Sequence, residues 1–199
     1  VKRQQLINEK RRQKPDYRDV RKLILRKSKA LLKDITPANR ESFRQHGSSV
    51  NLGVGSADAL THVADESVSL VVTSPPFLDV VQYATDNWLR CWFNGIDPAA
   101  IPIWSFRKVA DWQAAMTGVF KDLYRVLQPG GHVAFEVGEV RNGKVKLEDY
   151  VIPAGADAGL RPELVLINAQ EFTKTANCWG VDNQTKGTNT NRIVLFRKD

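Results

Sequence analysis

The amino-acid sequence predicts an α/β fold, because short β-branched segments alternate with amphipathic helical segments along most of its length. The clearest helix is residues 108–127, where apolar side chains recur at steps of three and four. The clearest strand is residues 67–72, a short, nearly continuous apolar run that is stopped by Pro75 and Pro76. Such a run is typical of a buried parallel strand.

The other predicted elements continue the alternation. Pro129-Gly130-Gly131 is expected to end the long helix. Near the N-terminus, Pro15 divides a helical region, Asp16 is a possible start for its second helix, and residues 36–39 are expected to form a turn. Further strands are predicted at 49–54, 132–137, 163–172 and 192–198, and helical turns at 58–63 and 85–94.

Charge separates the chain into two regions. Residues 1–46 hold fifteen Lys and Arg against five Asp and Glu, whereas the rest holds fourteen basic and seventeen acidic residues. We therefore expect a basic helical segment at 1–46 and a catalytic α/β region at 47–199. The basic excess favours a polyanion such as double-stranded DNA as partner, although a solvated helix face has the same composition.

Several classes of protein are disfavoured by composition. The chain has no apolar run long enough to span a membrane and no signal-peptide pattern, so a cytoplasmic protein is expected. Its two cysteines, Cys91 and Cys178, are far apart, and only three histidines accompany them. No metal site is therefore predicted.

The residues that indicate chemistry are Thr73-Ser74-Pro75-Pro76-Phe77, directly after the predicted strand. In α/β sheets, sites form at the carboxyl ends of strands. The two prolines fix the backbone and lack N–H groups, which leaves acceptors: the Ser74 hydroxyl and neighbouring carbonyls. The amino group of cytosine or adenine is a weak nucleophile, because its lone pair is delocalised into the ring. Hydrogen-bond acceptors around its hydrogens would free this lone pair to attack a methyl sulfonium. The aromatic ring of Phe77 could stack on a base flipped out of the duplex. A rigid turn without catalytic function is the alternative.

This motif and its surroundings resemble the amino-methylating DNA methyltransferases, which modify N4 of cytosine or N6 of adenine. The resemblance covers residues 48–199 and includes 55–60, 65–72 and 123–131. It implies a class I methyltransferase sheet and S-adenosylmethionine as cofactor. A serine before Pro-Pro favours cytosine. The implied catalytic residues are Ser74, Pro75, Pro76 and Phe77, and the implied cofactor-binding residues are Asp58 and Thr73.

Residues 173–180 and 187–192 resemble the closing hairpin of one prokaryotic branch of these enzymes. Their Asn, Trp and Arg side chains are suited to contact nucleic acid, although Asn is also typical of hairpin turns. The other tryptophans are expected in the core or at an interface. The candidate nucleic-acid contacts are Asn177, Trp179, Asn191 and Arg192, and the tryptophans expected inside are Trp88, Trp92, Trp104 and Trp112.

One element of the family is absent from this sequence, the Phe-x-Gly-x-Gly cofactor loop after the first strand. In family members whose motifs follow the order found here, the glycine loop lies N-terminal to the region that matches residue 1. The chain itself starts with Val1 instead of Met. We therefore expect an incomplete sheet whose first strands belong to a missing N-terminal portion or a partner subunit. The resemblance implies DNA amino-methylation by a prokaryotic or phage-encoded protein, in restriction–modification, phage defence or epigenetic marking. Alternatives are a non-catalytic nucleic-acid-binding fragment and an RNA or protein amino-methyltransferase of the same fold.

Overall fold

The computed structural model describes residues 2–14, 17–76, 78, 83–141, 144–169 and 190–199. The chain divides into two compact units, Val1–Leu52 and Gly53–Asp199. No helix in the described part of the chain is long and apolar enough to cross a membrane.

In its described residues the first unit contains three helices, α1 (Lys2–Lys10), α2 (Val20–Leu31) and α3 (Pro37–Gly47). Helix α2 begins after Asp19, whose carboxylate accepts hydrogen bonds from the first backbone N–H groups of the helix. The start considered at Asp16 lies outside the described residues. The turn predicted at 36–39 is instead the first turn of α3, because Thr36 and Asn39 form a reciprocal capping box.

The second unit contains the sheet. Its strand order is β1-β2-β5-β4, and the short β3 pairs with the end of β2. The elements, in chain order, are β1 (Val68–Thr73), α4 (Tyr83–Asp86), α5 (Trp88–Phe93), a 3-10 turn (Pro98–Ala100), α6 (Val109–Val126), β2 (Leu127–Val140), β3 (Val145–Lys146), α7 (Glu148–Asp157), β4 (Arg161–Ala169) and β5 (Thr190–Arg197).

The sheet is open and mixed. Strands β1 and β2 are parallel, and β5 runs antiparallel to both of its neighbours, β2 and β4. The register places Thr73, the last residue of β1, beside Phe135 in the middle of β2. The residues after Thr73 therefore leave the sheet at the carboxyl end of β1, while β2 continues to Val140. An open mixed sheet with helices confirms the predicted α/β class.

The core lies on the face of the sheet that packs against α6 and α7. Phe120 of α6 is fully buried, and its ring centroid lies 4.6 Å from that of Phe135 and 5.1 Å from that of Phe196. On the opposite face, Leu70 and Val72 of β1 are 57% and 74% exposed. On the other face Val71 and Thr73 are half-buried, so β1 is only partly covered and the expectation of a buried strand was wrong.

Other expectations differ from the structure for local reasons. Residues 49–54, predicted as a strand, are described and form no strand, and 58–63 form turns without a helix. Pro129-Gly130-Gly131 lies inside β2, because α6 already ends at Val126. Helix α7 was not predicted from the sequence, since Pro153 interrupts its apolar spacing.

Two helical glycines provide a matched test of this packing. A Cβ on Gly155 of α7 would lie 2.6 Å from Cζ of Phe196, which is fully buried, whereas a Cβ on Gly118 of α6 would meet nothing nearer than 3.8 Å. We expect Gly155→Ala to destabilise the unit by roughly 1–3 kcal/mol through overpacking. Gly118→Ala should stabilise it by up to about 1 kcal/mol through helix propensity. Urea unfolding midpoints of the two variants measure the difference, and equal midpoints would contradict this packing.

Candidate active site

The segment that follows β1 is anchored on its downstream side. The indole Nε1 of Trp112, in the first turn of α6, donates a hydrogen bond to the carbonyl of Pro76 at 3.1 Å. Two residues further on, the side chain of Leu78 is 1% exposed and belongs to the core. The backbone is therefore tied to the core at Pro76 and Leu78, and Phe77 between them lies outside the described residues.

The hydrogen bond from Trp112 uses one of the hydrogen-bond acceptors close to Ser74. Trp112 donates to the Pro76 carbonyl, one of the neighbouring carbonyls that were predicted to be free acceptors. Ser74 is exposed, and no described residue hydrogen-bonds its hydroxyl. Thr73 and Pro75 are half-buried beside it. The Ser74 hydroxyl is thus an accessible side-chain acceptor at the carboxyl end of β1.

A cavity of about 490 Å³ lies next to this segment within the second unit. Its size falls in the range of small-molecule sites, and most of its wall is apolar. Pro76 lies on its wall, together with the 55–57 segment, whereas Ser74, Thr73 and Asp58 do not. The lining residues are Gly55, Ser56, Ala57, Pro76, Tyr83, Asn87, Arg90, Cys91, Asn94, Ile96, Pro98, Ile101, Pro102, Ile103 and Trp104.

Asp58 is connected to this cavity through Ser56. The Ser56 hydroxyl donates a hydrogen bond to the Asp58 carboxylate, and Ser56 itself lines the cavity. Asp58 is exposed, and it lies over α6, where a Cβ at Gly118 would be 3.8 Å from the Asp58 Cβ. The carboxylate therefore lies one hydrogen bond away from the cavity wall.

Two side chains of α6 hold the residues that follow Asp58. Asp122 accepts a hydrogen bond from the Leu60 N–H at 2.6 Å, and Arg125 donates to the Leu60 and Val63 carbonyls, both at 3.0 Å. A hydrogen bond from Arg125 lowers the pKa of Asp122, against the opposing effect of burial. Sequence reasoning assigned no role to either residue, because contacts across 60 or more positions leave no local signal.

The candidate nucleic-acid residues at the start of β5 have structural partners. Arg192 is 6% exposed, and its guanidinium forms ion pairs with Glu139 and Glu148, the latter at 2.5 Å. Burial acts to raise the pKa of Glu139, but hydrogen bonds from Thr190 and Arg192 outweigh this effect and lower the pKa. Burial raises the pKa of Glu148 in spite of Arg192. This geometry favours a structural role for Arg192 over the expected contact with nucleic acid.

Of the other candidate nucleic-acid contacts, one lies in the sheet and two lie outside the described residues. Asn191 is half-buried and lies in register between Gly138 of β2 and Asn168 of β4. The candidate contacts Asn177 and Trp179 lie outside the described residues. Across the described ranges, no group of three or more His, Cys, Asp or Glu side chains could hold a metal ion.

The tryptophans expected in the core or at an interface have different environments. Trp112 is 2% exposed and Trp104 is half-buried, so both are at least partly inside. Trp88 and Trp92, on the short helix α5, are 54% and 68% exposed. Only Trp112 can therefore be described as a core residue.

Comparison with known proteins gives a distant similarity of fold. No protein-family model and no curated protein matches the sequence. Among solved structures, TTHA0409 of Thermus thermophilus in complex with S-adenosyl-L-methionine, provisionally named a DNA modification methylase, is 21% identical. It aligns over 73% of this chain and 51% of its own, with a TM-score of 0.45.

Two other similar structures are methyltransferases with different substrates. The PvuII DNA methyltransferase (cytosine-N4-specific) is 16% identical over 73% of this chain and 48% of its own, with a TM-score of 0.49. A 16S rRNA (adenine(1408)-N(1))-methyltransferase from Catenulisporales acidiphilia is 14% identical over 73% and 60%, with a TM-score of 0.41. This chain spans about half the length of TTHA0409. The similarity concerns the α/β fold and does not extend to substrate.

The anchor at Pro76 can be tested by substitution. Trp112→Phe keeps an aromatic ring in the core but removes the N–H that Pro76 accepts, so we expect a loss of at least about 1 kcal/mol of stability. Trp88→Phe is the matched control, because Trp88 is 54% exposed and should tolerate the change. Chemical denaturation of both variants measures the effect. Equal stability of the two would show that the Trp112 hydrogen bond does not anchor the segment.

Proposed function

We propose that this chain is the catalytic part of an S-adenosylmethionine-dependent methyltransferase that modifies an exocyclic amino group of a DNA base. The observation that carries the proposal is Thr73-Ser74-Pro75-Pro76 at the carboxyl end of a parallel strand, with Pro76 on the wall of a cavity. A serine before the two prolines favours N4 of cytosine over N6 of adenine, by resemblance to the amino-methylating enzymes.

The chemistry requires little of the protein beyond positioning. The amino nitrogen of a nucleobase is a weak nucleophile because its lone pair is delocalised into the ring. The Ser74 hydroxyl, exposed and without a partner among the described residues, accepts a hydrogen bond from one amino hydrogen. This interaction favours a more tetrahedral nitrogen, whose lone pair could attack the methyl carbon while the carbon–sulfur bond breaks and its electron pair leaves with sulfur as a neutral thioether; the amino group then loses a proton to water. Phe77 stacks on the flipped base in this proposal.

The cavity fits one end of the proposed cofactor. Mostly apolar walls with a few polar groups suit an adenine ring, and here the polar groups include Ser56 and Asn87. Asp58 and Thr73 are the residues proposed to hold the cofactor, Asp58 near the adenine. When bound, S-adenosylmethionine supplies an electrophilic methyl group on a sulfonium. The glycine loop that would hold its other end is absent from this sequence, so we propose that further polypeptide or a partner subunit supplies it.

The partner proposed for this activity is double-stranded DNA. The first unit presents basic side chains on α2 and α3, all of them exposed. Basic helical surfaces neutralise phosphates without reading sequence, and they do not by themselves distinguish DNA from RNA. Activity in restriction–modification or phage defence would follow from such a DNA-modifying function.

A second candidate function is a non-catalytic nucleic-acid-binding fragment, favoured by the absence of the glycine loop from the sequence. Binding of S-adenosylhomocysteine separates the two. We expect weak binding by this chain, detectable by ligand-observed NMR, and no binding if the fragment is not part of a methyltransferase. Micromolar affinity would show that a complete cofactor site exists without the glycine loop.

The catalytic proposal is tested by Ser74→Ala in a complete enzyme, with the glycine-loop polypeptide supplied. Loss of one positioned hydrogen-bonding group should lower the methylation rate on the order of 100-fold. Ser69→Ala is the control, since Ser69 is also an exposed serine and lies on the strand that leads to Ser74. The product is measured by mass spectrometry of digested DNA, with N4-methylcytosine expected.

Phe77 provides an independent outcome in the same assay. Phe77→Ala should weaken capture of the flipped base by roughly 1–3 kcal/mol, the value of a base–aromatic stacking contact. Phe77→Tyr should be tolerated, because the aromatic face is retained. Full activity of Ser74→Ala would contradict the mechanism, whereas N6-methyladenine as sole product would change only the target base.

The proposed DNA contact is tested by deleting residues 1–46. Affinity of the intact chain for a duplex should fall steeply with added salt, because bound cations are released from the phosphates. Without the basic segment, most of this affinity and its salt slope should disappear, as measured by fluorescence anisotropy. An unchanged salt slope after the deletion would mean that the basic segment is a solvated surface.

A further inference from the structure

One side of α6 faces the loop that contains Asp58. Gly118, Asp122 and Arg125 are spaced at i, i+4 and i+7, which places them in one row along the helix. The loop against them, residues 53–66, is fully described and contains neither helix nor strand. Short-range hydrogen bonds such as Ala59 N–H to the Ser56 carbonyl form its turns, and contacts from α6 add to them.

The two charged members of the row hold the loop backbone. Asp122 accepts from the Leu60 N–H at 2.6 Å, and Arg125 donates to the Leu60 carbonyl at 3.0 Å. A second nitrogen of Arg125 donates to the Val63 carbonyl at 3.0 Å. The loop is thus held through polar groups on both sides of Leu60, whose side chain also packs on the core.

The same two side chains fix each other. Arg125 Nε donates to Asp122 at 2.7 Å, and its Nη1 donates to Asp65 at 2.5 Å. The Asp122 side chain is 14% exposed and that of Arg125 is 33% exposed, so this pair is partly sheltered from solvent. A planar guanidinium with donors in fixed directions can hold two carboxylates and two carbonyls at once, which a lysine cannot.

The third member of the row leaves room for Asp58. Gly118 has no side chain, and the nearest heavy atom to an added Cβ would be the Asp58 Cβ at 3.8 Å. Asp58 therefore lies over the helix backbone at this point. Its carboxylate accepts from the Ser56 hydroxyl, and Ser56 lines the cavity with Gly55 and Ala57.

We infer that Asp122 and Arg125 are positioning residues that hold the loop over Gly118, and with it Asp58 and Ser56, in the orientation required for binding the adenosine part of the cofactor. The inference rests on the proposed function, because Asp58 is assigned there to the cofactor. It adds a specific dependence: selectivity for the adenine ring is controlled by the C-terminal half of α6, from residues that do not themselves line the cavity.

The structural part of the inference is tested by hydrogen exchange of single amides. In Asp122→Ala and Arg125→Met, the Leu60 amide should lose protection, since its acceptor is removed or displaced. The Ser67 amide should change less, because it donates to the backbone carbonyl of Val126. Asp111→Ala is the control, as Asp111 is an exposed residue of the same helix. Unchanged exchange at Leu60 in both variants would overturn the inference.

The binding part uses S-adenosylhomocysteine and its inosine analogue, measured by ligand-observed NMR on the full chain. Ser56 lines the cavity and donates its hydroxyl hydrogen to Asp58, so its oxygen can accept from the adenine amino group but cannot donate to the inosine carbonyl, and the wild type should prefer the adenosine compound. In Asp58→Ala the Ser56 hydroxyl is free to donate to that carbonyl, so this preference should fall roughly tenfold, the value of one hydrogen bond. Arg125→Met should lower it similarly, and combining the two changes should add little.

Gly118 gives a graded comparison in the same measurement. Gly118→Ala should keep the preference, because the added Cβ fits at ordinary contact distance. Gly118→Leu should reduce it by displacing Asp58. If Asp58→Ala lowers the preference but Arg125→Met and Gly118→Leu do not, the inference fails while the proposed function stands. If wild-type chain binds neither compound, or Asp58→Ala has no effect, the cofactor assignment fails as well.

Discussion

The packing of α6 against one face of the sheet is the interaction on which the rest of the second unit depends. In its middle, Phe120 is fully buried between Phe135 of β2 and Phe196 of β5. At its start, Trp112 hydrogen-bonds the Pro76 carbonyl, and near its end Arg125 holds the loop that follows Asp58. A single helix thus contributes its apolar side to the core and also supports both segments of the candidate site.

This arrangement explains how irregular backbone can present reactive groups in fixed positions. Neither the Ser74–Pro76 segment nor the loop at 53–66 has a hydrogen-bonded ladder of its own. Their backbone polar groups are satisfied in part by side chains of a helix whose opposite side is fixed in the core. Preorganised sites are most rigid when their supports belong to regular elements. Changes in α6 should therefore reach the site without changing any residue that touches a ligand.

Elements that are specified by a local sequence pattern could be predicted from the sequence. Helix α6 was predicted at 108–127 and lies at Val109–Val126, because apolar side chains on one face impose a helical period. The position of Ser74 at the end of a parallel strand was also predicted, since Pro75 and Pro76 stop β1. Helix α7 was missed because proline and glycine interrupt its spacing.

Interactions between distant residues could not be predicted in this way. The Trp112–Pro76 bond joins residues 36 apart, and the Arg125–Leu60 bond joins residues 65 apart. Arg192, in a segment rich in Asn and Thr, resembled a surface contact, yet Glu139 and Glu148 surround it in the folded chain.

The central claim is that the cavity beside Pro76 receives a cofactor with an adenosine part. Titration of the isotopically labelled chain with S-adenosylhomocysteine tests it most directly. We expect NMR shifts at the amides of residues 55–57 and at the Trp104 indole, because both line the cavity. Shifts confined to other regions, or none at millimolar ligand, would contradict it.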